Sequence, residues 1–196
     1  MSRRMRTGAA LAAICLTADL GAALYAGGPA IRYAADPGTS RLEFSGLQAG
    51  AEFKGVFHKF TAVVNFAPDA LADARFDVEV DLNSLDTMDE DRDGAMRGAD
   101  LFDAAHFPTA HYLTRSFAKT ASGYTAAGTL TLRGVTRDVA VDFQFAATAG
   151  GAKLSGAAKL KRLDFGVGQG EWKSTKSVAD EVNVAFALVL KPKPAP

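Results

Sequence analysis

Cysteine is almost missing from this 196-residue chain: there is one, Cys15. It lies within the first thirty residues, behind an isoleucine that suits lipoprotein processing poorly. Everything downstream is therefore without thiol, disulfide or cysteine metal site. Neither charge is in excess, with 22 basic and 22 acidic residues, and the basic ones are scattered. A polyanion finds no broad positive field, so nucleic acid is excluded as a partner. Nucleophile elbow, phosphate loop, dinucleotide fingerprint and zinc helix are all absent from the sequence. Histidine occurs three times and tryptophan once.

Long apolar runs are confined to the N-terminus. There Arg3, Arg4 and Arg6 precede GAALAAICLTADLGAALYAGGPA. A basic start followed by small and apolar residues is the pattern of a cleaved secretory signal, here residues 1–30, with maturation between Ala26 and Tyr33. The competing reading, a membrane anchor, is weakened by Asp19, since a charge near the middle of a span costs about 2.5 to 3.5 kcal/mol. The leader takes three arginines and one aspartate with it, leaving a mature chain of about −2. Residues 33–191 are expected to form one domain, and the PKPAP end, residues 192–196, a disordered proline-rich tail.

From Ser40 to Leu190 apolar residues recur at every second position, the period of a strand. In ARFDVEVDL, Phe76, Val78, Val80 and Leu82 share one side, and Arg75, Asp77, Glu79 and Asp81 the other. RDVAVDFQF and DEVNVAFALVL repeat the pattern. Eight or nine such segments separated by short polar turns define an all-β protein, and only AMRGADLF has room for a helix. A sandwich or a closed up-and-down barrel fits; an eight-stranded antiparallel barrel with one short helix between strands is expected. Inward positions on two strands carry Gly128, Gly156 and Ala158. Small residues there either leave room for a ligand or relieve crowding at a bulge.

DEDRDGAMRGAD, Asp89 to Asp100, has the aspartate spacing and central glycine of a calcium loop. A strand pattern precedes it and two arginines lie inside it, so no metal site is expected; Asp91 or Asp93 is expected instead to cap the AMRGADLF helix. His106 and His111 are five apart with Pro108 between them, a spacing that fits no metal pair.

Three segments together resemble the YceI-like family. They are RDGAMRGADLFDAAHFPTAHY, with Arg92-Asp93, Asp100-Leu101-Phe102-Asp103 and Phe107-Pro108-Thr109; the hairpin GTLTLRGVTRDVAVDF; and RLDFGVG, Arg162 to Gly168. Leu101 stands where an aromatic is common, and Asp89 with Glu90 makes the approach to Arg92 unusually acidic. The resemblance implies a periplasmic lipocalin-like barrel that holds a long-chain isoprenoid, a quinone or polyprenyl lipid, in its interior, with homodimerisation and transient membrane contact as family-type associations.

Parity then selects the expected lining: Phe44 and Phe53; Phe76, Val78 and Val80; Tyr112, Leu130, Val141 and Phe143; Val184 and Phe186. Phe102, Phe107 and Trp172 are placed near a mouth, where an indole can meet lipid and water together. No cofactor and no catalytic residue is expected. The alternative is an enzyme acting on a lipid inside the barrel, for which His58, His111 and Asp164 are the candidates.

Overall fold

The computed structural model describes residues 31–193; the expected signal segment, residues 1–30, lies outside them, as do residues 194–196. The strands are β1 (Ile31–Ala35), β2 (Arg41–Gln48), β3 (Ala51–Phe57), β4 (Phe60–Phe66), β5 (Arg75–Asp81), β6 (Leu85–Asp86), β7 (Thr109–Thr120), β8 (Gly123–Leu132), β9 (Val135–Thr148), β10 (Gly151–Lys161) and β11 (Glu181–Pro192). The helix α1 (Glu90–Arg97) follows β6.

These segments make eight walls. β1 pairs with β4 while β2 pairs with β3, so β1 with β2, and β3 with β4, each act as one interrupted wall strand. β5 and β6 form the third, pairing with β4 and β3 respectively. β7 to β11 follow as an antiparallel meander. One edge of β11 meets β10, and the other meets both β2 and β1, which closes the barrel. The interruptions have local causes. After β1 the Asp36 carbonyl accepts from Ser40 N, turning the chain. Between β3 and β4 the ladder passes to Ser84, whose carbonyl accepts from His58 N and whose hydroxyl accepts from Lys59 N.

Two walls meet at tight turns with both central residues at positive φ, Ala49-Gly50 (51° and 82°) and Arg133-Gly134 (50° and 73°). This is the turn that matches the twist of a hairpin, and glycine at its second place adopts it without a Cβ clash. The ladder between β7 and β8 slips between Thr114 and Ser116. There the buried Thr114 hydroxyl accepts from Phe76 N at 2.8 Å, satisfying a backbone donor that the bulge leaves out.

The strand ends differ from the sequence expectation. Ile31 and Arg32 belong to β1, paired with Phe66 and Asn65. Pro192, expected in the tail, ends β11 opposite Tyr33, and Lys193 N donates to the Arg32 carbonyl.

The helix also differs. It runs over Glu90–Arg97 rather than over AMRGADLF, and its N-cap is Asp89, whose carboxylate accepts from Arg92 N. Glu90, Asp91 and Asp93 occupy its first turn, where the helix dipole favours negative charge. Asp93 is buried and holds Thr87 instead of a cap, accepting from its backbone N at 2.9 Å and its hydroxyl at 2.7 Å. The acidic stretch is thus helix for most of its length, not an ion-binding loop between helices.

Two apolar clusters fill the ends of the barrel. At one end Phe66 packs against Phe145, Tyr124 and Phe143, with ring centroids at 4.9, 5.0 and 5.3 Å. Phe76 joins through Phe117 and Phe143, at 4.8 and 5.0 Å. Tilted and edge-on rings interlock, and this end is plugged. At the other end Leu82, Leu85, Leu101, Phe102, Leu132, Phe165 and Val167 form a second cluster beneath α1 and the loops after β10.

An apolar cavity in the barrel

Between the two clusters lies a cavity of about 520 Å³. Its wall is built by the inward positions of the strands: Leu42, Phe44 and Gly46 from β2, Phe53 and Phe57 from β3, Phe76, Val78 and Val80 from β5. The far wall comes from Val139 and Val141 on β9, Leu154, Ala158 and Leu160 on β10, and Val182, Val184 and Phe186 on β11. Alternation does the work, because in each strand the intervening residues face water.

Of the residues singled out from the sequence, the structure brings Phe44, Phe53, Phe76, Val78, Val80, Phe102, Tyr112, Leu130, Val141, Trp172, Val184 and Phe186 together on this wall. Two lie elsewhere. Phe143 points inward as its parity requires, but it sits at the height of the aromatic plug, 3% exposed and stacked against Tyr124 at 5.4 Å. Phe107 packs over the Arg133-Gly134 turn, its ring where a Cβ on Gly134 would stand. It covers the hairpin from outside rather than facing the cavity.

Small inward residues turn out to serve both expected purposes. Ala158 borders the cavity. Gly128 faces the bulge, where an added Cβ would stand 2.9 Å from both Thr114 Cα and Tyr112 Cζ. Gly156 yields its place to the rings of its neighbours, with Phe186 Cζ 2.6 Å from an added Cβ.

The polar part of the wall is small and concentrated at one mouth. Arg92 crosses it: Nε donates to Gln48 Oε1 at 3.2 Å, the terminal nitrogen meets the Asp89 carboxylate at 3.2 Å, and the guanidinium lies over the Phe53 ring at 5.2 Å. Asp91, Met96 and Trp172 stand around the same opening. Arg162, also on the wall, is 5% exposed and donates through Nε and both terminal nitrogens to the carbonyls of Ala179, Val167 and Val178, each at 2.9 Å. Burial lowers its pKa, and the nearby Asp180 carboxylate opposes that shift. These bonds pin the loop between β10 and β11 to the barrel, and Ala179 N adds a bond to the Leu47 carbonyl. Tyr112 carries a hydroxyl inside the barrel that donates to the carbonyl of Ala126 at 3.2 Å or Val139 at 3.3 Å. Burial pushes its pKa up to about 12.

Gln48, Phe57, Arg92, Arg162 and Phe165 were not anticipated as part of this wall. Phe57 had the right parity on AEFKGVF, and Gln48 continues the inward parity of Phe44 and Gly46 at the end of β2 but is polar; Arg92 comes from the helix and Arg162 and Phe165 from the turn after β10, where no period reveals facing.

The histidines lie outside the cavity and each meets an aspartate: His58 with Asp86 at 3.1 Å, His106 with Asp103 at 2.7 Å, and His111 with Asp77 at 2.8 Å. His111 and Asp77 are both on outward positions of adjacent strands. Asp164 is in the turn after β10, off the cavity wall. None of the candidates for chemistry inside the barrel therefore reaches the interior. Among the described residues no group of three histidine, cysteine, aspartate or glutamate side chains could hold a metal ion.

A closed eight-stranded antiparallel barrel around an apolar cavity, entered past one short helix, is a lipocalin-like architecture. Residues 33–190 match the model of the YceI-like domain, and the chain belongs to that family. A UPF0312 protein of Vibrio cholerae is 29% identical over 154 residues, which span 70% of this chain and 82% of that one. The crystal structure of BcnA from Burkholderia cenocepacia is similar at a TM-score of 0.75 and 33% identity, over 79% of this chain and 98% of that one. A polyisoprenoid binding domain from Saccharophagus degradans, implicated in plant cell wall breakdown, shares the fold at a TM-score of 0.65 and 20% identity, over 83% and 99% of the two chains.

Proposed function

We propose that this protein is an exported carrier that takes one long apolar chain, an isoprenoid such as a quinone or polyprenyl lipid, into the barrel and shields it from water. The carrying observation is the cavity itself. It is closed at one end by interlocked aromatic rings and lined mostly by apolar side chains, with Gln48, Asp89, Asp91, Arg92, Arg162 and the Tyr112 hydroxyl as its few polar groups. Each methylene moved from water into such a space contributes about 0.8 kcal/mol, so a prenyl tail binds by burial without specific contacts. The membership of the chain in the YceI-like family supports this class of ligand, and the polyisoprenoid binding domain shows the same architecture in a protein described by that ligand. The basic and apolar N-terminus supports export to the periplasm, with removal of the leader. Binding, not turnover, is the proposed activity, a reading supported by the position of His58, His111 and Asp164 off the cavity wall.

Native mass spectrometry of the exported protein, followed by solvent extraction, tests this. One isoprenoid or comparable long-chain lipid per chain is the expected result, and the same measurement reads the N-terminus and any dimer. A protein that emerges empty and takes up no quinone or polyprenyl lipid on titration would sink the carrier reading.

A further inference from the structure

The mouth of the cavity carries more information than its interior. Two features there would ordinarily draw an anionic head group: an arginine, and the N-terminus of α1 with its unpaired backbone N–H groups. Both are already taken by Asp89. One of its carboxylate oxygens accepts from Arg92 N at 3.0 Å, and the other faces the Arg92 guanidinium at 3.2 Å. Arg162, the other cation on the wall, is spent on three backbone carbonyls. Glu90 and Asp91 follow Asp89 in the first helical turn, and Asp91 borders the opening. An arriving phosphate or carboxylate thus meets, among the described residues of the wall, two arginines that already have partners and two aspartates, with Glu90 adding negative charge in the same helical turn.

We infer that the mouth selects amphiphiles with an uncharged, hydrogen-bond-accepting head group, such as an alcohol, amide or quinone carbonyl, and rejects phosphorylated forms of the same chain. Gln48 is the residue that receives the head. Its Oε1 is committed to Arg92, which fixes the amide plane, and its amide N–H groups remain for a ligand at the top of the cavity. This rests on the carrier reading and adds a choice among lipids that burial cannot make, because the tail is common to all of them.

Farnesol and farnesyl diphosphate carry one tail and two heads, and Trp172, the only tryptophan of the chain, stands on the wall to report both by fluorescence. With delipidated full-length protein, farnesol is expected to bind at least about tenfold more tightly than the diphosphate at low salt, and the gap to shrink as salt rises. In an Asp89→Asn, Asp91→Asn double variant the preference should fall by about tenfold; asparagine still caps the helix, so folding is retained. Gln48→Leu should weaken farnesol about fivefold. Farnesol binding with an equal or better diphosphate affinity, or with a preference that the double variant leaves intact, overturns head-group selection while the carrier reading stands. Failure of both compounds, together with an empty protein on native mass spectrometry, removes the carrier reading and this inference with it.

Discussion

Gly156 and Phe186 face each other across β10 and β11, and the ring of Phe186 occupies the space that a side chain on Gly156 would need. An added Cβ would stand 2.6 Å from the ring and 2.9 Å from Phe143 Cβ, and it would also strike the Asp142 carbonyl. Gly156→Ala is therefore expected to destabilise the barrel by about 1–3 kcal/mol through overpacking, read as a lowered denaturant midpoint with an unchanged slope. A variant as stable as the parent would show that the ring has somewhere else to go.

Two residues further along β10, Ala158 borders the cavity opposite Val184 while Ala157 faces solvent. Ala158→Phe should fill the space and reduce prenyl-lipid affinity by at least about tenfold without a loss of thermal stability. Ala157→Phe should leave affinity as it was. Equal effects of the two would mean that the parity of β10 does not govern binding.

Asp93 joins α1 to the barrel by accepting two hydrogen bonds from Thr87 and by standing 3.7 Å from Arg97. Asp93→Ala leaves the buried Thr87 N–H without an acceptor and its hydroxyl with only the Asp89 carbonyl at 3.4 Å, and should cost about 1–3 kcal/mol, with amide exchange accelerating first in residues 87–97. Asp93→Asn keeps an acceptor and should lose less. Normal stability in the alanine variant would show that the helix is held from elsewhere.

Tyr112 predicts a response to alkali. Its pKa is raised to about 12 in the folded protein by burial, against 10 for the free side chain. Below pH 10 the phenol is neutral in both states and its contribution is intact; between pH 10 and 12 only the unfolded chain ionises, and stability falls. Wild-type protein should lose stability across that window more steeply than Tyr112→Phe. Absorbance at the phenolate band should also show one late ionisation that the variant lacks. Parallel pH profiles would mean that the hydroxyl titrates freely.

The strands and their facing were legible before any coordinates, and Phe76, Val78 and Val80 show why: a period of two leaves one side for water and one for the interior, whatever lies across. Phe143 marks the limit. Its side was right, yet whether an inward residue meets the cavity or the plug depends on its height along the barrel, which the stagger of neighbouring strands sets. Phe107 lies in a connection, where no period exists to follow. The cap of α1 was misplaced because several aspartates stand in a row; Thr87 claims Asp93 through a contact that becomes visible only when β6 and α1 are folded together.

What the sequence determined by itself was an all-β chain with a wet face and a dry face on each strand, since that depends only on neighbours along the chain. The tertiary structure decided that the dry faces enclose space rather than fill it. It also decided that Gln48, the Asp89–Arg92 pair and Arg162, far apart along the chain, border that space. Closure through the two-sided pairing of β11 brings these residues together, and the length and stagger of eight walls fix how much volume remains between the aromatic plug and the mouth.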